Sequence, residues 1–205
     1  MPHRHGWLEK WRLRLWGAGF LLLALALAQL APAAQFSAQM DIKDGDKHML
    51  GRLFVHDGMM RQEFADESGQ TITIVRPDKK VVWIIIPWKQ SYLELHYKGQ
   101  LPGQFLQIPP DALSRRAVGQ EQVQGYDAEK FEVLVRSGGP SGCDRQTVWH
   151  CPKLGMPVKM ICKDRDYSVE YKNIREGPQP ERLFNLPPGC HKLDNPAGFG
   201  FKLQD

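Results

Sequence analysis

The sequence predicts a mainly β protein built on an antiparallel sheet. Three observations carry that reading. Apolar and polar residues alternate with a period of two along most of residues 36–174. Turn dipeptides recur between those runs, and no stretch beyond residue 33 carries a long apolar stripe at helical spacing. A length of 205 residues suits a single domain, and no break in composition divides it.

The first 33 residues stand apart. Arg4, Lys10, Arg12 and Arg14 precede an uncharged run with its apolar core at Phe20–Ala28, and Ala31-Pro32-Ala33 follows as a small-residue exit. This is the pattern of a secretory signal peptide over residues 1–33. As a helix, Leu15 to Leu30 reaches about 24 Å against about 30 Å of hydrocarbon, which is short for a retained anchor. The expected product is a soluble protein exported to the periplasm of a Gram-negative bacterium, with no stable transmembrane segment after cleavage. Charge follows the same division. The chain has 27 Lys+Arg against 23 Asp+Glu, and the leader holds four of the basic residues and only Glu9 of the acidic ones. What remains is nearly neutral and lacks the concentrated positive field of a nucleic-acid-binding protein, so no nucleic-acid partner is expected.

Strands then follow in order. FSAQMDIK and HMLGRLFV flank the turn Asp44-Gly45-Asp46, Asp57-Gly58 leads into MMRQEF, and Ser68-Gly69 leads into TITIVR. Pro77-Asp78 opens the turn before Val81–Ile86, which is apolar on both faces with Trp83 in its middle. Such a strand lies under a second layer or lines an apolar cavity. Gly99–Pro110, with three prolines and two glycines, reads as a loop over an open edge or mouth, and a small helix is expected near Pro109–Arg116. Phe131, Val133 and Val135 share one face of a later strand. Past the Pro152–Gly155 turn, Val158, Met160 and Cys162 alternate with Lys159, Ile161 and Lys163. Tyr167, Val169 and Tyr171 then alternate with Ser168, Glu170 and Lys172. In the proline-rich tail, Leu183, Phe184 and Leu186 read as a segment pinned to the body by apolar contacts, and residues 195–205 as a flexible end.

Catalytic motifs are missing from this pattern. No G-x-S-x-G elbow, H-E-x-x-H helix or P-loop occurs. His56 and His96 fall at strand ends, Asp164 and Asp166 surround Arg165 in a turn, and Arg136, Arg145 and Lys163 form an unspecific basic patch. The expectation is a protein that is not an enzyme and uses no cofactor. Cys143, Cys151, Cys162 and Cys190 are disulfide candidates with three possible pairings. Their spacing lacks a C-x₂₋₄-C knuckle, so no metal is expected despite the adjacent His150 and His191. The excess of large apolar groups around one strand pair (Trp83, Trp88, Tyr92, Tyr97, Phe105, Leu106) has two readings. Either a concave face encloses an apolar ligand, or these side chains fill an ordinary core.

A resemblance narrows the choice. TITIVRPDKKVVWIIIPWKQSYLEL, VGQEQVQGYDAEKFEV, TVWHCPKLGMPVKM and YSVEYKNIREGPQPERLFNLPPG occur in an order that resembles the lipoprotein-sorting-carrier-like (LolA-like) superfamily. Within it, the chain is most similar to uncharacterised periplasmic domains of the DUF4412 type. The most specific parts are Gly125-Tyr126 leading into Lys130–Val133, the Trp149…Gly155–Lys159 hairpin, and Leu183-Phe184-x-Leu186-Pro187-x-Gly189. The resemblance covers residues 36–191 and implies a curved, incomplete antiparallel β-barrel (LolA/LolB-like) with few short capping helices, here reduced to Leu101–Arg116. It implies that Trp149 and Pro157-Val158-Lys159 build the sheet, that Tyr126 packs beside its turn, and that Phe184 anchors the terminal segment. A crosslink from Cys190 in the returning tail to the sheet would fit the same picture.

The expected organisation is thus a signal peptide (1–33), a LolA-like β domain (34–194) and a flexible tail (195–205). The expected function is carriage of lipid or lipoprotein acyl chains in a cavity lined by Trp83, Ile85, Trp88, Tyr92, Leu95, Phe105, Leu106, Phe131 and Val133, with handover to an envelope protein. The alternative is an envelope interaction or sensor module that keeps the scaffold without a carrier pocket. A slip of one residue in register would move alternate members of that set to the other face.

Overall fold

The predicted strands form, and they join one sheet. The structure, a computed structural model, describes residues 34–67, 69–101, 105–136 and 142–194; the signal segment and the terminal 195–205 lie outside the described residues. A first meander runs β1 (Phe36–Asp44), β2 (Lys47–His56), β3 (Met59–Asp66), β4 (Gly69–Arg76), β5 (Val81–Ile86) and β6 (Ser91–His96). Asp57 and Gly58, both at positive φ (49° and 82°), make the tight β2–β3 turn that an Asp-Gly pair favours. Pro77–Lys79 and Pro87–Lys89 are single 3-10 turns started by proline and closed by a left-handed residue, Lys80 and Gln90. A second meander runs β7 (Ser114–Val123), β8 (Tyr126–Leu134), β9 (Arg145–Cys151), β10 (Met156–Cys162) and β11 (Tyr167–Glu176). The short β12 (His191–Lys192) pairs in parallel with β6.

The strand order is β12-β6-β5-β4-β3-β2-β1-β11-β10-β9-β8-β7, so β1 and β11 join the two meanders in mid-sheet. Every pairing except β12–β6 is antiparallel. Registry sorts the side chains by face. Met40, Gly51 and Phe64 lie side by side, as do Leu53, Gln62, Thr73, Ile84 and Leu93, and Tyr171, Val169 and Met160 continue the same face toward β10. This inner face carries the main core, where Phe36, Met40, Ile42, Leu53, Val158 and Tyr171 are fully buried. Among the described residues only the segment 97–113 lies over it. So narrow a strip cannot bury so broad a face by itself, and the sheet curls around it. The protein is therefore mainly β, an open and strongly curved antiparallel sheet that does not close into a barrel.

The topology explains the strap. Residues 97–113 link β6, beside one edge, to β7 at the other, ten inter-strand steps away. On a flat sheet that gap is about 48 Å at about 4.8 Å per step, and 17 extended residues reach at most about 58 Å. The connection has to run straight across the inner face. Near its midpoint the Leu106 amide donates to the Tyr171 hydroxyl of β11 (2.9 Å), and Phe105 and Leu106 are buried there. The helix expected near Pro109–Arg116, and with it the capping helices expected within Leu101–Arg116, does not form among the described residues. Ala112 N closes a turn onto Pro109 O (3.1 Å), and Ser114 already starts β7. Pairing with β8 overrides a local pattern with almost no alternation, since nearly every β7 residue is exposed.

The tail covers the other face at the β2–β6 end. A 3-10 turn, Glu181–Phe184, places Phe184 at 0% exposure against Ile72, Ile74, Trp83 and Ile85. On β5, the tail covers Trp83 and Ile85 on one face, while on the inner face Val82 is buried and Ile84 only half-buried. The Cys190 crosslink does not form. Cys143 pairs with Cys162, bracing the β9–β10 hairpin, while Cys151 is a buried thiol and Cys190 a half-buried one. The tail is held by hydrogen bonds and apolar packing, so no covalent staple is needed there.

Candidate functional site

On the inner face, burial is uneven. Around β1 and β11 the side chains are sealed beneath the strap, whereas Met60 and Phe64 of β3, Ile84 of β5, Leu95 of β6 and Tyr97 beyond it pack on the core and stay only half-buried. They form an apolar trough beside the strap. Its shape depends on Gly51: a Cβ there would lie 2.5 Å from Phe64 Cε1, so only glycine lets this ring lie against the β2 backbone. Trough and strap meet at Leu101 and Phe105, which belong to the same core.

Polar groups interrupt this surface at Thr73 of β4 and at its β3 partner Gln62. Gln62 sits on the same face as Met60 and Phe64, opposite Leu53 and Thr73, and is 3% exposed. Its amide nitrogen has no hydrogen-bond partner among the described residues. Leaving a buried donor unpaired costs about 1–3 kcal/mol. The sequence carries the signal for this residue: in MMRQEF, the even positions 60 and 64 are apolar and 62 is not.

The nine residues expected to line one cavity divide between several places. Leu95 is in the trough. Phe105, Leu106, Phe131 and Val133 belong to the sealed inner core, with the Arg115 guanidinium 3.8 Å from the Phe131 ring centroid. Trp83, Ile85 and Tyr92 are on the opposite face under the tail, and the Trp83 indole donates to Glu94 (3.0 Å). Trp88 is 61% exposed in the Pro87–Lys89 turn, its ring against Gly69. Strict two-residue alternation explains the division: Trp83 and Ile85 share one face of β5, and the tail reaches that face before any ligand can.

Polar side chains, unannounced by any motif, hold the tail in place. Arg76, 5% exposed, donates to Asp78, to Phe184 O (3.0 Å) and to Asn185 Oδ1 (2.8 Å). Arg61 donates to Leu183 O (2.9 Å), and His56 Nδ1 donates to Gln179 O (2.7 Å) beside the Phe184 ring. Further along the outer face, Asp41 accepts from Lys172 and His48. Burial alone would raise the Asp41 carboxyl, but these two partners together bring it below its ordinary value. Lys130 and Lys159 stand over Trp149, whose indole donates to Glu121 (2.7 Å). Of the expected basic patch, Arg136 is exposed, Arg145 pairs with Asp164, and Lys163 pairs with Glu132, whose carboxyl is pulled down to about 2 chiefly by Lys163 and Arg116. A groove of about 580 Å³ on this face is rimmed by Gln39, Arg52, Glu63 and Arg175. Leu50, Phe54 and Ala65 also line it, so charged and apolar side chains share its walls.

Catalytic or metal chemistry finds little to work with. The sulfurs of Cys143 and Cys162 and a carboxylate oxygen of Asp164 lie within 4.8 Å of one another. The sulfurs are bonded to each other, however, and offer a metal no thiolate. His150 is held below its ordinary pKa by burial and then by Arg115. Among the described residues, no helix is long and apolar enough to cross a membrane.

No protein-family model and no curated protein matches the chain. Among solved structures it is similar to an uncharacterized conserved protein from Thermus thermophilus, with a TM-score of 0.57 and 12% identity over 86% of this chain and 98% of that one. Lower likenesses include the Pseudomonas aeruginosa MucA/MucB complex (TM-score 0.47, 15% identity, 85% of this chain) and a LolA superfamily protein from Nitrosomonas europaea (0.37, 11%, 82% of this chain and 96% of that one). This chain spans 62% of the matched chain in the MucA/MucB structure. At 12% identity, the likeness to the Thermus protein concerns the fold alone: a curved β sheet of the same kind.

Proposed function

We propose that this is a non-enzymatic envelope binding protein on a LolA-like scaffold, carrying lipid or lipoprotein acyl chains on its inner face. One observation carries the reading: on the inner face, Met60, Phe64, Ile84, Leu95 and Tyr97 pack against the core and yet stay only half-buried. Each methylene transferred onto it from water contributes about 0.8 kcal/mol, so a partly buried chain binds without further contacts. Export by the leader supplies the compartment, and handover to an envelope protein would complete the cycle. The narrower DUF4412-type assignment rests on the sequence motifs alone.

Organic extraction of the purified protein followed by mass spectrometry tests the proposal. A co-purifying acyl lipid near one equivalent is the expected result, with Leu95→Glu protein recovered empty. Lipid-free wild-type protein that also fails to take up a fluorescent acyl probe would overturn it. The rival, an interaction or sensor module without a pocket, draws support from Phe105 and Leu106, which occupy the middle of the inner face themselves; that outcome would favour it.

A further inference from the structure

We infer that Gln62 is the polar anchor of the inner-face site and that its ligands are acyl esters or amides rather than bare hydrocarbon chains. This rests on the lipid-binding reading above. On this face, with Thr73 as its β4 neighbour, Gln62 has an amide nitrogen that is buried and unpartnered beside half-open Met60 and Phe64. A neutral primary amide donates to neutral oxygen acceptors and gives no strong preference for a charged headgroup. A carbonyl at the head of an acyl chain supplies that acceptor, while the chain covers the apolar neighbours. The site then favours ligands with the carbonyl, which is a stronger acceptor for the buried donor than an ether oxygen.

The test uses two water-soluble probes, dihexanoyl phosphatidylcholine and its diether analogue, which differ only in the two carbonyls. Titrated into the purified protein and followed by calorimetry, the diester should bind about three- to tenfold more tightly. Gln62→Met, close in shape, should bind both probes equally and at the diether affinity. Without ligand, this variant should unfold at the same temperature as wild type or higher, since it removes an unpaired donor. Equal binding of both probes by wild type, or a diester preference that survives Gln62→Met, overturns the anchor while leaving lipid binding intact. A Gln62→Met protein that unfolds at lower temperature without ligand shows that the amide already has a partner and also overturns it. Binding of neither probe removes the lipid-binding reading itself, and the anchor with it.

Discussion

Single polar side chains carry consequences out of proportion to their number in this sheet. Asp41 lies near the middle of β1, where Lys172 and His48 hold its carboxylate below the ordinary 3.8. A carboxyl depressed in the folded state contributes stability that is complete above its unfolded value and is lost as pH falls through the folded one. Urea titrations of wild type should therefore show stability declining as pH falls below about 4, with a shallower decline for Asp41→Asn. An identical acid limb in the variant would place the sensitivity elsewhere. Arg76 acts differently: it ties two tail acceptors, Phe184 O and Asn185 Oδ1, to the end of β4. Its position at a strand end before Pro77 suggests surface charge, and only the returning tail converts it into a buried clamp.

At the level of elements, the hairpin β9–β10 shows how a covalent link replaces a missing layer. Cys143 and Cys162 are 19 residues apart in sequence and close the open end of that hairpin. Restricting a loop of this length in the unfolded chain contributes about 3 kcal/mol. Cys143→Ala/Cys162→Ala protein should be less stable by about that amount in denaturant unfolding. Thiol titration of denatured, unreduced wild type should find only Cys151 and Cys190 free. Four reactive thiols would contradict the pairing. The strap shows the opposite strategy: its ends are tied by Tyr97 N to Lys80 O (2.9 Å) and Leu113 N to Leu134 O (2.8 Å), and its middle rests on Tyr171.

For the whole molecule, leaving the sheet open creates two edges. On one side, β12 covers only the start of β6, pairing with Ser91 and Tyr92. On the other, β7 offers ten residues with an unpaired edge, and its protection lies in Arg115 and Arg116 and in the register shift between Ala117 and Gly119. Replacing Arg115 and Arg116 with valine should give concentration-dependent dimers or larger species in sedimentation velocity, whereas wild type stays at constant size. Unchanged behaviour in the variant would assign the protection to the bulge alone. β1 to β4, β8, β10 and β11 were legible in the period-two pattern and in turn pairs such as Asp57-Gly58, because those signals are local, whereas β5 read as a doubly apolar run and the β9–β10 hairpin followed only from the resemblance. β7 was not legible, since its residues alternate too little to reveal a strand formed by pairing with β8.

The sequence by itself determined the sheet: its strands, its turns, the doubly apolar β5 and the pinned tail segment at Phe184. It also marked Gln62 as a polar residue in an apolar row. Only the tertiary structure decided which face each row joined, that Trp83 and Ile85 went under the tail, that Cys143 met Cys162, and that residues 97–113 had to cross the inner face. Alternation states that two faces differ; it does not say which segment, distant in sequence, will cover either one. That choice follows from strand order, and strand order depends on contacts between residues as far apart as β1 and β11.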